Sequence, residues 1–226
     1  MTATSSIWIK ICANTSLPDA QLAAEAGADA VGFVFAPSPR RVTPAQVAAI
    51  TPHLPAGLEK IGVFVDAGLD EICSTVRASG LTGVQLHSQG GPDLPAQLRA
   101  QFGSQLRILR VVHFGPHAGE RANQVSADPN IDGILVDSRT PTAVGGTGIT
   151  FDWTAARESI FGNPVSTKLI AAGGLTPENV REAIATLSPW GVDVVTGVEA
   201  APGRKDPAKV RAFIAAARTA AQSLSP

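Results

Sequence analysis

Residues 168–195, KLIAAGGLTPENVREAIATLSPWGVDVV, contain the clearest indication of the fold. An apolar run at its start and a second at its end, Lys168–Ala172 and Val192–Val195, have the composition of β-strands. Between them a helical pattern begins at Thr176-Pro177-Glu178-Asn179, with Thr at the cap and Pro in the first turn. A strand, a helix and a strand in this order predict two parallel strands joined by a right-handed crossover.

The same alternation of strand and helix runs through the rest of the chain. Six further strand candidates are nearly continuous in Val, Ile, Leu or Phe, as strands covered on both faces are: Ile7–Cys12, Ala30–Phe35, Lys60–Val65, Gly83–His87, Leu106–Val112 and Gly133–Asp137. Helical patterns open at Pro18-Asp19 and at Thr43-Pro44. About eight strand–helix units in one chain predict a closed (β/α)8 TIM barrel, and we expect residues 1–226 to form it as a single domain.

An open, doubly wound parallel sheet is the alternative architecture. Such a sheet usually carries a phosphate-binding glycine cluster after its first strand, and this sequence has none there. Its glycine-rich turns come late in the chain, at Gly145-Gly146-Thr147-Gly148, Gly173-Gly174 and Gly197. This distribution favours the barrel.

The composition limits the classes of binding partner and the cellular compartment that we expect. The chain is 44% hydrophobic and 16% charged, which is typical of a folded globular protein. A formal net charge of −1 offers no electrostatic reason to expect nucleic acid or a membrane surface as partner, so an anionic substrate needs a local binding site. Two cysteines, Cys12 and Cys73, are too few for a disulfide framework and lack metal-ligand spacing. Without a leader or a membrane-length apolar run, we expect a cytoplasmic protein.

Catalytic groups of barrels lie at the carboxyl ends of the strands, and several candidates occur there. Cys12 can act as a base if its neighbours lower the thiol pKa, and Asp137 can act as an acid if an apolar pocket raises its pKa. His87 and Arg41 follow two further strands, and Asp193 lies in the last one. Each has a structural alternative: an inert buried thiol, a capping carboxylate or a residue of a surface loop.

The late glycines predict a phosphate site. Loops after strands seven and eight bind phosphate in many barrels through backbone N–H groups, and glycine permits the close approach that this requires. Gly173, Gly174, Thr196 and Gly197 lie in these two loops. The alternative is that Gly173-Gly174 only turns the chain.

Taken together, these segments resemble the phosphoribosylanthranilate isomerase family of tryptophan biosynthesis. The resemblance runs from Lys10-Ile11-Cys12 to Pro202–Asp206, and its strongest stretches are EAGADAVGFVF (25–35), SPRRV (38–42), GVFV (62–65), VQLH (84–87), GGTGITFDW (145–153), AGGLTPENV (172–180) and GVDVVTGVEAAPGRKD (191–206).

The resemblance implies a (β/α)8 barrel that needs no cofactor or metal and acts on a small phosphoribosyl arylamine, as a monomer or homodimer. The implied reaction is the Amadori rearrangement of N-(5-phosphoribosyl)anthranilate. Asp137 would be the general acid at the furanose oxygen and Cys12 the general base at C2. Arg41 would contact the aryl carboxylate, and His87 and Asp193 would line the substrate site. Backbone groups around Gly173-Gly174 and Thr196-Gly197 would hold the phosphate.

The sequence departs from the family pattern around the expected mouth of the barrel. Ala13 replaces the Gly that usually follows Lys-Ile-Cys, Ile149 replaces a Lys, and Val195 replaces a Ser. Ser88-Gln89-Gly90-Gly91 stands where the family is acidic, and Arg110-Val111 replaces Lys-Ala. Two alternatives therefore remain open: the same rearrangement on another N-phosphoribosyl arylamine, or a non-catalytic barrel that binds phosphosugars.

Overall fold

Eight parallel strands close into a barrel in the computed structural model of the chain, which describes residues 7–87, 91, 93–138, 152–163 and 166–224. The strands pair in sequence order and have the following bounds: β1 Trp8–Ile11, β2 Ala30–Val34, β3 Glu59–Phe64, β4 Gly83–Leu86, β5 Arg107–His113, β6 Gly133–Asp137, β7 Lys168–Ala171 and β8 Gly191–Val194. Pairing between β1 and β8 closes the barrel, with Trp8 opposite Gly191 and Ile11 opposite Val194. The predicted fold is confirmed, and each predicted strand lies within two residues of its observed bounds.

Helices connect the strands on the outside of the barrel. Their bounds are α1 Leu17–Glu25, α2 Pro44–Ala48, α3 Leu69–Ser79, α4 Leu94–Phe102, α5 Ala118–Ser126, α6 Trp153–Ala156, α7 Val180–Leu187 and α8 Pro207–Ser223. The predicted Thr43-Pro44 start is confirmed by a capping box, in which the side chains of Thr43 and Gln46 each accept a hydrogen bond from the other residue's backbone N–H.

The predicted start of α7 at Thr176 is wrong by one turn. Helix α7 begins at Val180, and residues 177–179 before it form a turn. Cap-like hydrogen bonds are nevertheless present at Thr176: Asn179 Oδ1 accepts from Thr176 N at 2.8 Å, and Thr176 Oγ1 accepts from Glu178 N at 3.2 Å. Asn179 Nδ2 also donates to Gly174 O at 3.0 Å, which ties the turn to the loop after β7. The turn keeps the loop after β7 close to the barrel mouth.

The apolar side chains form two layers. Outward-facing strand residues pack against the helices in the larger cluster, while the inward-facing side chains fill the lower barrel: Trp8, Ala30, Ile61, Leu109, Leu135, Ile170 and Ala172. Because successive strand residues point to opposite faces, Lys10, two places after Trp8 on β1, also points inward. Asp193 on β8 pairs with Lys10 in register and points the same way. The barrel is therefore apolar at its amino-terminal end and charged toward its carboxyl-terminal end.

A floor of aromatic and charged side chains covers the amino-terminal end of the barrel. The rings of Trp8 and Trp190 stack with centroids 5.3 Å apart, and Lys168 Nζ lies 4.4 Å from the centroid of Trp190. Arg107 Nη2 donates to Glu59 Oε1 at 2.9 Å beside them. In the described part of the chain, no helix is both long and apolar enough to cross a membrane.

A short two-stranded hairpin follows β8 and leads into α8. Its strands, β9 Glu199–Ala201 and β10 Arg204–Lys205, pair antiparallel. Asp206 caps the helix that follows, accepting from the backbone N–H groups of Ala208 and Lys209. The hairpin therefore lies directly after the strand that carries Asp193.

Candidate active site

A cleft of about 380 Å³, open to solvent, lies at the carboxyl ends of strands β6, β7 and β8. It is lined by residues that follow or end these three strands: Asp137, Ser138, Ala172, Gly173, Gly174, Leu175, Asp193, Val194, Val195 and Thr196. Five of the nine predicted site residues are in this set, and the carboxyl end of a barrel is where enzymes of this fold carry their active sites. The cleft is the candidate active site.

The backbone of the turn after β7 requires glycine at Gly173 and Gly174. Gly173 and Gly174 have φ values of 83° and 66°, in the left-handed region that glycine adopts without a steric penalty. A Cβ on Gly173 would come within 2.1 Å of Ser138 Oγ and 2.6 Å of Asp137 Oδ1. The backbone at this turn therefore approaches the end of β6 closely, which brings the glycine turn and the candidate acid to one wall of the cleft.

The two other predicted phosphate residues differ in position. Thr196 lines the cleft, whereas Gly197 does not and instead packs behind it. A Cβ on Gly197 would lie 2.0 Å from the carbonyl oxygen of Leu175, so the loops after β7 and β8 are in direct contact there. Gly197 thus brings the two loops together.

Cys12 follows β1, next to the β8 wall of the cleft. Its backbone N–H donates to Val194 O at 2.9 Å, which extends the pairing of β1 with β8. The residue is 3% exposed and is not among the residues that line the cleft. Gly32 makes room for the thiol, because a Cβ at that position would lie 2.4 Å from Cys12 Sγ and 3.0 Å from Lys10 Cε. The thiol and the Lys10 side chain therefore lie side by side.

Lys10 is buried completely inside the barrel. Its Nζ donates to Gln85 Oε1 at 2.7 Å and to Asp193 Oδ1 at 2.8 Å. Burial by itself lowers the pKa of Lys10. The charges of Asp193 and Cys12 and their hydrogen bonds to the ammonium outweigh this effect, so the pKa is raised above its usual value. Asp193, predicted as a substrate-binding residue, therefore also anchors this lysine while it lines the cleft.

Burial and the neighbouring charges also shift the pKa of the Cys12 thiol. Burial raises the pKa of Cys12 above its ordinary value, and the Lys10 ammonium, through its charge and a side-chain hydrogen bond, works to lower it. Asp193 raises the pKa of this thiol and Lys205 lowers it. The ionisation of Cys12 is thus set by a balance between burial and the charges around it.

The two arginines of the loop after β2 have different surroundings. Arg41, the predicted contact of the aryl carboxylate, is exposed, and its side chain makes no hydrogen bond or ion pair with the described residues. Arg40 is buried and forms a bidentate pair with Glu199, with Nη2–Oε2 at 2.7 Å and Nε–Oε1 at 2.8 Å. The geometry therefore leaves Arg41 available for a ligand and commits Arg40 to the hairpin.

Lys205, in the hairpin, joins the candidate base to the loop after β8. Its Nζ donates to Cys12 O at 2.6 Å and to Val195 O at 3.5 Å, and it lies 3.5 Å from Glu199 Oε1. Burial lowers the pKa of the Lys205 ammonium below its usual value, although Glu199 and Cys12 favour the charged form. The hairpin therefore contacts the residues on both sides of the β1–β8 seam.

His87 follows β4 on the side of the mouth opposite the glycine turns. Its ring packs against that of His113, with centroids 5.7 Å apart, and His113 is paired in register with Asp137 across β5 and β6. His87 is half-buried. These two imidazoles therefore border the mouth between Arg41 and Asp137.

Sequence reasoning did not select Lys10, Gln85, Glu199, Lys205 or His113 as site residues. For Lys10 a signal was present, because it lies two residues before Cys12 on one strand and must share its face. The others depend on contacts between segments far apart in the chain. Gly145–Gly148, Ile149 and residues 88–90 lie outside the described residues. Within the described ranges, no cluster of three or more His, Cys, Asp or Glu side chains is arranged to hold a metal ion.

One of the departures from the expected pattern has a structural consequence. Ala13, directly after Cys12, has a φ of 60°, in the left-handed region where glycine is favoured. Its side chain is buried. The backbone beside the candidate base therefore adopts the conformation of a glycine while carrying a β-carbon.

Comparison with known proteins identifies close relatives over nearly the whole chain. The sequence model described as N-(5'phosphoribosyl)anthranilate (PRA) isomerase matches residues 9–216. The N-(5'-phosphoribosyl)anthranilate isomerase of Geobacter sulfurreducens is 44% identical, covering 93% of this chain and 98% of its own.

Solved structures give the same result. The phosphoribosyl anthranilate isomerase of Thermotoga maritima is 36% identical, with a TM-score of 0.81 over 94% of this chain and 99% of its own. A phosphoribosyl anthranilate isomerase in complex with reduced 1-(o-carboxyphenylamino)-1-deoxyribulose 5-phosphate is 33% identical, with a TM-score of 0.79 over 94% of this chain and 99% of its own.

Proposed function

Because this chain belongs to the N-(5'-phosphoribosyl)anthranilate isomerase family, we propose that it converts N-(5-phosphoribosyl)anthranilate into 1-(2-carboxyphenylamino)-1-deoxyribulose 5-phosphate in tryptophan biosynthesis. One structural observation supports this most strongly: Asp137 and the glycine turn Gly173-Gly174 share a cleft at the carboxyl ends of the strands, beside the strand that carries Cys12. An acid, a base and a phosphate site then surround one pentose.

The phosphate of the substrate binds at the loops after β7 and β8. Gly173 and Gly174 have a left-handed backbone and place no side chain on this wall, so that backbone N–H groups can face an anion. Thr196 adds a hydroxyl on the other side of the cleft. The formal net charge of −1 gives the whole chain no attraction for an anion, so such a local site is necessary.

Asp137 is the general acid. Its position in the cleft lets its carboxyl group reach a pentose whose phosphate lies at the neighbouring glycine turn. Proton transfer to the furanose ring oxygen opens the ring and leaves a protonated Schiff base between C1 and the arylamine nitrogen. The carboxylate formed in this step remains beside the developing cation.

Cys12 is the general base. The Schiff base acidifies the C2 hydrogen, and the thiolate removes that proton to give an enolamine, which tautomerises to the ketone of the product. Arg41, with its exposed guanidinium, pairs with the carboxylate of the aryl ring at the opposite side of the mouth. Each of the two proton transfers contributes about 10²–10⁴-fold to the rate.

The test is a fluorescence assay with N-(5-phosphoribosyl)anthranilate on the purified chain. We expect turnover by the parent, and a loss of about 10²–10⁴-fold in kcat for Cys12→Ala and for Asp137→Asn. Cys73→Ala is the matched control, since this second buried thiol lies in α3, and it retains parental turnover. Unchanged activity in Cys12→Ala or Asp137→Asn contradicts the assigned roles.

Two further outcomes of this assay select the alternatives. Turnover only of an N-phosphoribosyl amine with another aryl group shows that the reaction is kept and the substrate differs. Binding of sugar phosphates without turnover of any aminoaldose shows a non-catalytic barrel. We also propose that the chain works in the cytoplasm as a monomer or homodimer and needs no metal or cofactor. Light scattering tests the oligomeric state, and assays with chelators test the need for a metal.

A further inference from the structure

The proposed base is surrounded by buried charges from several elements of the fold. Lys10 lies on β1, Asp193 on β8 and Lys205 on β10, and all three act on the Cys12 thiol. Arg40, in the loop after β2, interacts electrostatically with Cys12. Glu199 on β9 forms ion pairs with both Arg40 and Lys205. Gln85 on β4 is the neutral member of the group and bonds to Lys10.

The charges in this group do not balance without the thiol. With all groups ionised, three cations (Lys10, Arg40, Lys205) face two carboxylates (Asp193, Glu199). A net charge in a protein interior is costly, so the group favours either loss of a proton from Lys205, whose pKa burial lowers, or one more negative charge. A Cys12 thiolate supplies that charge.

Among the cations, Lys10 is placed to act on the sulfur itself. Its ammonium is completely buried and held at 2.8 Å by Asp193 and at 2.7 Å by Gln85, so it cannot turn to solvent. Its Cε and Cys12 Sγ both border the space that the missing side chain of Gly32 leaves open. Lys205, by contrast, donates to the backbone carbonyl of Cys12.

We propose that Lys10, held by Asp193 and Gln85, is a positioning residue for the general base and stabilises the Cys12 thiolate that accepts the C2 proton. The role of the thiolate rests on the proposed function, whereas the effect of Lys10 on the thiol does not. Asp193 then has two opposed effects, because it fixes the ammonium in place and also repels the thiolate. This assigns a function to a buried lysine that contacts neither phosphate nor aryl group in the proposed reaction.

The experiment titrates Cys12 by the ultraviolet absorbance of its thiolate in a Cys73→Ser background, which leaves one thiol in the chain. Lys10→Met removes the neighbouring cation, and we expect the pKa of Cys12 to rise by about 1–3 units. Asp193→Asn removes the carboxylate that opposes the thiolate, and we expect the pKa of Cys12 to fall. Shifts of opposite sign are not produced by loosened packing.

Two further variants keep the proposal testable if Lys10→Met does not fold. Lys10→Met with Asp193→Asn leaves no buried carboxylate without a partner, and its Cys12 pKa lies above the parent, because the lysine acts on the thiol more strongly than the aspartate does. Lys60→Met is the matched control: Lys60 is another buried lysine, on β3, bonded to Pro55 O at 2.9 Å, and its loss leaves the Cys12 titration unchanged.

Kinetics provide the second measurement. In Lys10→Met, the ascending limb of kcat/KM against pH moves to higher pH in parallel with the thiol titration, and kcat falls more than KM rises. A Cys12 titration that is unchanged in both Lys10→Met and Asp193→Asn overturns the proposal. Shifted titrations without turnover of N-(5-phosphoribosyl)anthranilate contradict the proposed function and leave the role of Lys10 intact.

Discussion

Ala13 has a left-handed backbone conformation that favours glycine. Its φ of 60° costs an alanine roughly 1–2 kcal/mol relative to glycine, and part of that is offset by the greater chain entropy of glycine in the unfolded state. We expect Ala13→Gly to raise the free energy of unfolding by about 0.5–1 kcal/mol in urea titrations.

Ala49 provides the control for this substitution. It is exposed and has an ordinary φ of −78°, so Ala49→Gly should lower the free energy of unfolding by about 0.5–1 kcal/mol. If Ala13→Gly destabilises the chain as Ala49→Gly does, the left-handed strain next to Cys12 is absent in solution.

Gly32 is required by the packing of the thiol and not by its own backbone. A β-carbon at this position would lie 2.4 Å from Cys12 Sγ, so Gly32→Ala must displace either the sulfur or the strand. We expect kcat to fall by about 10- to 100-fold, because small displacements of a reacting group have effects of this size.

The matched control is Gly57→Ala, where a β-carbon meets open space. Circular dichroism should show that both variants keep the fold, and only Gly32→Ala should lose turnover. Parental kcat in Gly32→Ala would mean that Cys12 tolerates displacement and is not the base.

At the scale of elements, the β9–β10 hairpin connects the candidate base with the loop that carries Arg41. Glu199 pairs with Arg40, the neighbour of Arg41, and Lys205 donates to Cys12 O. Glu199→Gln keeps the shape of the side chain but leaves the charges of Arg40 and Lys205 unmatched. We expect a loss of about 3–5 kcal/mol in the free energy of unfolding near neutral pH and a higher KM for the substrate.

The pH dependence of this loss has a definite sign. Burial by itself raises the pKa of Glu199, but the hydrogen bonds from Arg40 and the charge of Lys205 outweigh it and hold the pKa below the usual carboxyl value. Its stabilisation is therefore present above the pKa of an unfolded glutamate and is lost as the pH falls through the folded pKa. The difference in stability between parent and Glu199→Gln should shrink in acid.

Glu59 supplies the control for the hairpin, because it forms a similar two-bond pair with Arg107 at the opposite end of the barrel. Glu59→Gln should lower stability and leave KM unchanged. A raised KM in both variants would mean that KM follows stability and that the hairpin has no special connection to Arg41.

Along its axis, the barrel separates the residues that stabilise the fold from those that form the candidate active site. The floor of Trp8 and Trp190 closes the amino-terminal end, while the cleft with Asp137 lies at the carboxyl ends of the strands. Trp8→Ala removes a ring that is 6% exposed, and we expect it to cost about 3–5 kcal/mol of stability.

The kinetic constants should not follow this loss. At temperatures where circular dichroism shows Trp8→Ala folded, kcat/KM should equal that of the parent, because the residue lies at the end of the barrel away from the cleft. A folded Trp8→Ala protein without activity would show that the floor and the site are coupled through the barrel interior.

Much of the fold could be predicted from local patterns. Apolar runs such as Gly133–Asp137 and the helix start at Thr43-Pro44 match the observed elements, because strand burial and helix capping depend on residues close together in the chain. The regular turns of α7 begin four residues after Thr176, although Thr176 and Asn179 form the hydrogen bonds of a helix cap there. The sequence pattern therefore found the cap but did not show where regular helical bonding begins.

The ends of the strands carried the candidate acid, base and phosphate turns, so the sequence was sufficient to place Cys12, Asp137 and Gly173-Gly174 at one end of a barrel. Only the folded chain decided which charges surround them. Lys10 and Asp193 are 183 residues apart and Lys205 and Cys12 are 193 apart, and no local pattern encodes their meeting. Closure of β1 against β8 brings them together, and burial then strengthens the action of their charges on the thiol.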